Sequence, residues 1–406
     1  DLDLDGMSQA TIMGWIKLDP TFGNTAYILH QGDFEVGLTA TAKIFASVNG
    51  RTISVPDTYD FELNKWYHFT VIFDSSLPSD NLQLYVSGEF AIKDSHPSLL
   101  SPIDVWTPGK FTLGKEMGDD KKYFKGAIDE IRVFDIALTE GQMHQIVHQE
   151  IENNSGVVKG KVVPKNITDF NTNATIPWSA LEAYYPMTDI ISSKTSDYSD
   201  NNFTATLHNI RTMQAQTAPM PYATVADGDW DQMSTWKNGD VWDLSTKPEA
   251  NPWSIIKVSH NMIAKNDINS HALIIDADKS ITVADDKVIN NEWYLELNGT
   301  IDLQGDSQLI QGKDSDLVTS ADGKVLRRQE GNTNYYWYKY WSSQLGAQSI
   351  TTLSYYNSPT NNTNNSAWSL NMIKDGSGTP FQFTSSNEEP GKISTYWLYT
   401  FQNGIT

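Results

Sequence analysis

Over residues 1–138 the chain alternates apolar and polar side chains in short runs cut by Gly, Asn, Asp and Ser, and almost nowhere offers the spacing of a helix. A chain of that kind buries one side of each strand in stacked sheets. Leu82, Leu84 and Val86 share one side, and Ser87-Gly88 turns the chain into Glu89-Phe90-Ala91-Ile92. Trp66 to Phe73 is apolar on both sides, as a central strand covered twice must be. One helix is expected, because Thr139-Glu140-Gly141-Gln142 has the form of a capping box and Met143, Ile146, Val147 and Ile151 fall at helical spacing. It should lie on the sandwich.

Roughly two to four domains fit the 406 residues. The reading is all-β: a sandwich over 1–152, a polar linker with a few opening strands over 153–222, a Trp-rich strand ladder over 223–311, and a truncated third β module over 312–406. In the ladder, Leu273-Ile274-Ile275 and Ile281-Thr282-Val283 are echoed by Leu295-Glu296-Leu297 and Ile301-Asp302-Leu303, an offset close to one solenoid coil. A β-solenoid and a plain sandwich both remain open there. The alternation of Asp1-Leu2-Asp3-Leu4 reads as mid-strand, and the apolar run before Asn403-Gly404 leads into a turn, so the sequence is expected to be a piece of a longer protein.

A formal net charge of −21 repels phosphate backbones and anionic lipid, which argues against nucleic acid and membrane surfaces as partners. Asp-rich turns suit a hard cation such as Ca²⁺. With no cysteine, disulfides, zinc-thiolate centres and cysteine nucleophiles are excluded.

The first module resembles a laminin-G-like, concanavalin-A-type jelly roll. The resemblance rests on Thr11-Ile12-Met13-Gly14-Trp15-Ile16-Lys17, Lys65-Trp66-Tyr67-His68-Phe69-Thr70-Val71, Leu84-Tyr85-Val86-Ser87-Gly88, and Phe124 to Phe134 followed by Ala137-Leu138-Thr139. Gly228-Asp229-Trp230 and Ser234-Thr235-Trp236 are similar to G8-like strand ladders. Arg327-Arg328-Gln329-Glu330-Gly331 with Tyr338-Lys339-Tyr340-Trp341-Ser342-Ser343 resembles a signature of very large proteins that Bacteroidota export by the type IX machinery, although Gln344-Leu345 stands where Pro-Val is expected. Those relatives are mostly surface adhesins, so the resemblance implies an extracellular location.

Asp129 shares parity with Ile131 and Val133, which would turn its carboxylate toward the core. The resemblance implies a Ca²⁺ site there, with Asp33 and Asp3 as further ligands; hydrogen bonding to backbone N–H groups is the alternative. Glu130 and Arg132 are expected to form an exposed ion pair, and His144 and His148 to face solvent. The run Tyr335 to Trp341 offers Trp337, Tyr338 and Trp341 as sugar-stacking residues, or as core. Laminarinase-type enzymes of this fold carry Glu-x-Asp-x-x-Glu on one strand, and Ala127-Ile128-Asp129-Glu130-Ile131-Arg132 lacks both glutamates. No catalytic residue is therefore assigned. The expected function is binding of a glycan or surface protein with Ca²⁺ support; accessory modules of a polysaccharide-degrading enzyme, or a structural spacer, are the alternatives.

Overall fold

The computed structural model describes residues 2–105, 109–115, 122–208, 217–237, 252–313, 315–320, 322–328 and 370–399. The first domain is a two-sheet jelly roll built from β1 (Gln9–Leu18), β2 (Ala26–Gln31), β3 (Phe34–Leu38), β4 (Ile44–Val48), β5 (Arg51–Ser54), β6 (Trp66–Asp74), β7 (Leu82–Val86), β8 (Glu89–Asp94), β9 (Thr112–Leu113) and β10 (Gly126–Phe134). Two hairpin turns carry the chemistry that tight hairpins demand: Asn49-Gly50 between β4 and β5, and Ser87-Gly88 between β7 and β8, have positive φ at both residues.

After β10 come the helix α1 (Glu140–Val147), a hairpin of β11 (Ile151–Asn154) and β12 (Val157–Gly160), and β13 (Leu181–Tyr185). Thr139 caps α1 with the reciprocal bonds of the expected capping box. One sheet runs β13-β10-β1-β6-β7-β8 and the other β5-β4-β3-β2-β9. β13, in the stretch expected to be a linker, pairs with β10 and so completes the first sandwich. Between the sheets lies a core that includes Ile12, Ile16, Val36, Ala46, Phe69 and Val133.

The six-stranded sheet is covered on its second face as well. Met13, Trp15, Ile72, Tyr85 and Phe134 point away from the sandwich core into another cluster with Met143, Ile146 and Val147 of α1. That cluster continues into Ile255, Ala272, Ile274 and Trp293 of the following domain.

After a small hairpin of β14 (Lys194–Thr195) and β15 (Ala205–Thr206), the second domain is a β-solenoid of about three turns. In chain order it contains β16 (Tyr222–Ala223) and β17 (Gly228–Asp229), β18 (Ile255–Val258) and β19 (Met262–Ala264), β20 (Ile268–Ile275) and β21 (Ser280–Val283), β22 (Val288–Leu297) and β23 (Thr300–Leu303), then β24 (Gln308–Gln311), β25 (Asp316–Thr319) and β26 (Lys324–Arg327). All of these pairings are parallel. The echo in the sequence is the register itself: Leu273 pairs with Leu295 and Ile275 with Leu297, while Ile281 pairs with Ile301 and Val283 with Leu303. Their side chains form the solenoid core with Ile256, Met262 and Ile289. Stacking also aligns polar residues, so Asn290 Nδ2 donates to Asn269 Oδ1 at 2.8 Å and Asn291 Nδ2 to Ser270 Oγ at 3.1 Å. Further on, β27 (Gln382–Thr384) pairs in parallel with β28 (Lys392–Ser394).

Candidate functional site

β10 corrects the expectation for Asp129. Glu130 sits at φ +54° and the register between β1 and β10 shifts at Gly14, the signature of a bulge. Beyond the bulge the parity inverts. Ile128 pairs with Ile16 on the core side, whereas Asp129 pairs with Trp15 and shares the outer face with it. Asp129 is buried there, and its Oδ1 accepts the N–H of Glu130 at 3.1 Å, the backbone bonding held as the alternative to a metal.

Glu130 and Arg132 lie on the same outer face, where α1 and the residues after it cover them. Far from forming a surface pair, both side chains are fully buried. Arg132 donates to Glu130, to Ile146 O at 3.2 Å and to Gln149 O at 2.7 Å, and Tyr184 Oη donates to Glu130 at 2.9 Å. Burial pushes the Glu130 carboxyl up despite the guanidinium beside it. His144 and His148 are buried too, since α1 packs between the two domains rather than on open surface.

Asp3 and Asp33 lie at one rim of the sandwich. Asp3 Oδ1 accepts from Gln31 Nε2 at 2.9 Å and from Asp5 N at 3.1 Å, and Gln31 leads through Gly32 into Asp33. Asp129 is elsewhere: its partner Trp15 is six residues, or about 20 Å of strand, beyond Gln9 at the rim end of β1. The three aspartates do not form one Ca²⁺ centre, and among the described residues no three His, Asp or Glu side chains are grouped as a metal requires. The rim also holds a cleft of about 350 Å³ between Asp33, Asn49, Ser98 and Asp104. Asn49 shapes it, donating to Ser98 O and Pro102 O and accepting from Asp104 N at 2.8 Å.

The outer face of the five-stranded sheet collects a different chemistry. Across β2, β3, β4 and β5 the register lines up His30, Glu35, Ser47 and Thr52 in one row, and Tyr27, Gly37, Phe45 and Ser54 in the next. Tyr27 and Phe45 meet edge to face at 5.9 Å across Gly37, where a Cβ would fall 2.7 Å from the Phe45 ring. His30 Nε2 is 3.9 Å from Glu35, and the Ser47 and Thr52 hydroxyls are 3.0 Å apart. The Lys122 ammonium lies 5.0 Å over the Tyr27 ring, and that of Lys115 5.1 Å over Tyr123, itself exposed. Tyr27 and Phe45 are buried beneath this polar surface, apart from the three large apolar clusters.

These residues were missed in the sequence because each strand was read for its core side. The signal was the polar half of the same alternation, as in Phe34-Glu35-Val36-Gly37-Leu38. Trp337, Tyr338 and Trp341 lie outside the described residues.

Residues 1–144 match the laminin-G-type model of the concanavalin A-like lectin/glucanases superfamily. No curated protein matches the chain. Among solved structures, it is similar to a protein from Bacteroides ovatus provisionally described as carbohydrate-binding, with 18% identity over 50% of this chain and 54% of that one and a TM-score of 0.35. The chain therefore spans about half the length of that protein. A heptameric SAP-like pentraxin from Limulus polyphemus is similar at 18% identity, over 42% of this chain and 80% of that one, with a TM-score of 0.30. The CBM40 of a Ruminococcus gnavus IT-sialidase, bound to α2,3-sialyllactose, is similar at 16% identity, over 33% and 78%, with a TM-score of 0.28.

Proposed function

We propose that this chain is a non-catalytic, glycan-binding region of a large extracellular bacterial adhesin, and that the outer face of the five-stranded sheet is its binding surface. One observation carries the reading: hydroxyl, imidazole, carboxylate and ammonium groups line up on this face over the buried rings of Tyr27 and Phe45, with the exposed ring of Tyr123 bridged to Tyr27 beside them. An exposed ring such as Tyr123 offers a face to the C–H side of a sugar while its polar neighbours exchange hydrogen bonds with hydroxyls. The match of residues 1–144 to the lectin/glucanase superfamily agrees with it. So does the missing pair of glutamates on β10, which leaves the glucanase mechanism without its acid and nucleophile. Display at the cell surface after type IX export rests on the resemblance of residues 327–343. No Ca²⁺ step is included, because Asp3, Asp33 and Asp129 stand apart.

A glycan array probed with the whole chain tests the reading. Wild type should bind at least one glycan, and Tyr123→Ala, a change at an exposed ring, should weaken that binding about tenfold or more while the melting temperature holds. An array with no glycan bound would overturn it, and release of reducing sugar from a bound glycan would overturn the non-catalytic part.

A further inference from the structure

The joint between jelly roll and solenoid is built around histidine. His68 on β6, His144 and His148 on α1 or its C-cap, and His271 on β20 are all buried in it. His148 Nδ1 donates to Pro219 O at 2.9 Å, so its bare nitrogen is Nε2, which has no hydrogen-bond partner; the ring meets Trp15 at 5.4 Å and Tyr222 at 5.0 Å between centroids. His271 stacks on Trp293 with its Nε2 also unpartnered, as is Nε2 of His68. His144 differs, for its Nε2 donates to Gly88 O at 2.8 Å, Glu140 stands 3.8 Å away, and the ring stacks on Trp253 at 4.1 Å.

We propose that this joint is an acid-released latch: neutral imidazoles hold the two domains together, and protonation of His148 and His271 parts them.

The charged and titratable groups around the latch leave a second positive charge nowhere to go. On β10, Arg132 faces His68 and its charge is already taken by Glu130, while Asp129 accepts from the chain's own backbone. Lys165 faces His271 and is paired with Asp316 at 2.6 Å. Glu140 faces His144 and Tyr85, and Glu150 faces Glu130 and Tyr184; neither is paired with His148 or His271. Burial, and the other histidines, hold His148 down to about 4 and His271 to about 3. The sign follows. A histidine whose closed-state pKa lies below its ordinary value supports the closed form fully above pH 6.5, and loses that support as pH falls toward its closed-state pKa. At pH 5 each of the two shifts the open-to-closed ratio by about 30-fold, and both together by about a thousandfold.

Small-angle X-ray scattering of the whole chain from pH 7.5 to pH 4 should show the radius of gyration rise below about pH 6. In the double variant His148→Gln/His271→Gln that rise should move at least one pH unit lower. An unchanged radius down to pH 4, or a variant that opens along the wild-type curve, would overturn the latch. Hydrogen exchange on wild type, corrected for intrinsic rate, decides the matter even if the variant does not fold: amides of β18 and α1 should lose protection at a higher pH than those of β3 and β4. Simultaneous loss, or none, would overturn it.

Discussion

Glu130 holds a left-handed backbone angle inside a strand, which costs a non-glycine residue about 1 kcal/mol or more, and in return its carboxylate reaches the buried guanidinium of Arg132. Losing one partner of such a pair strands the other charge away from water. Arg132→Met is therefore expected to destabilise the chain by about 3–5 kcal/mol in urea unfolding, and Glu130→Gln/Arg132→Met by clearly less, since no ion then remains buried. A loss under about 1 kcal/mol in the single variant would mean that solvent reaches the pair. None of this was legible in the residues. A count by twos along β10 assumes an unbroken pleat, and a bulge with glutamate at the left-handed position leaves no mark in side-chain type. One displaced residue moved Asp129 to the opposite face, and the covering of that face by α1 and Tyr184 buried a pair expected at the surface.

At the scale of elements, what depended on local chemistry could be read. The Thr139 cap, the Ser87-Gly88 turn and the doubly covered strand β6 each rest on a few adjacent residues, and the coil register of the solenoid rests on a repeat that parallel stacking imposes. Thr139→Ala should cost about 1 kcal/mol, visible as faster hydrogen exchange in the first turn of α1. An unchanged rate there would mean that packing alone starts the helix. The sheet partner of β13 could not be read, because Leu181–Tyr185 alternates equally well for any neighbour; only folding shows that it pairs with β10. The outer face of the five-stranded sheet was half legible: the polar alternates of β2 to β5 were present, but their alignment into rows across four strands is a property of register.

For the molecule as a whole, the joint decides how the domains act on each other. Gly88 sits at φ +84°, and a Cβ there would fall 2.4 Å from the Trp253 indole nitrogen, which donates to Ser87 O at 2.9 Å. Gly88→Ala should expel that ring, red-shift the tryptophan emission and lower the melting temperature. Unshifted emission would show that the hairpin can yield. The histidines of the joint escaped the sequence reading because His144 and His148 lie on a helix whose second covering comes from a domain more than a hundred residues later. The same covering fixes valency. One sheet of the sandwich spends its outer side on α1 and the solenoid, so among the described residues the jelly roll keeps the outer face of its five-stranded sheet for the ligand proposed above. If the proposed surface is the one that binds, each chain would offer one glycan site among the described residues, and firm attachment would come from many copies arrayed side by side.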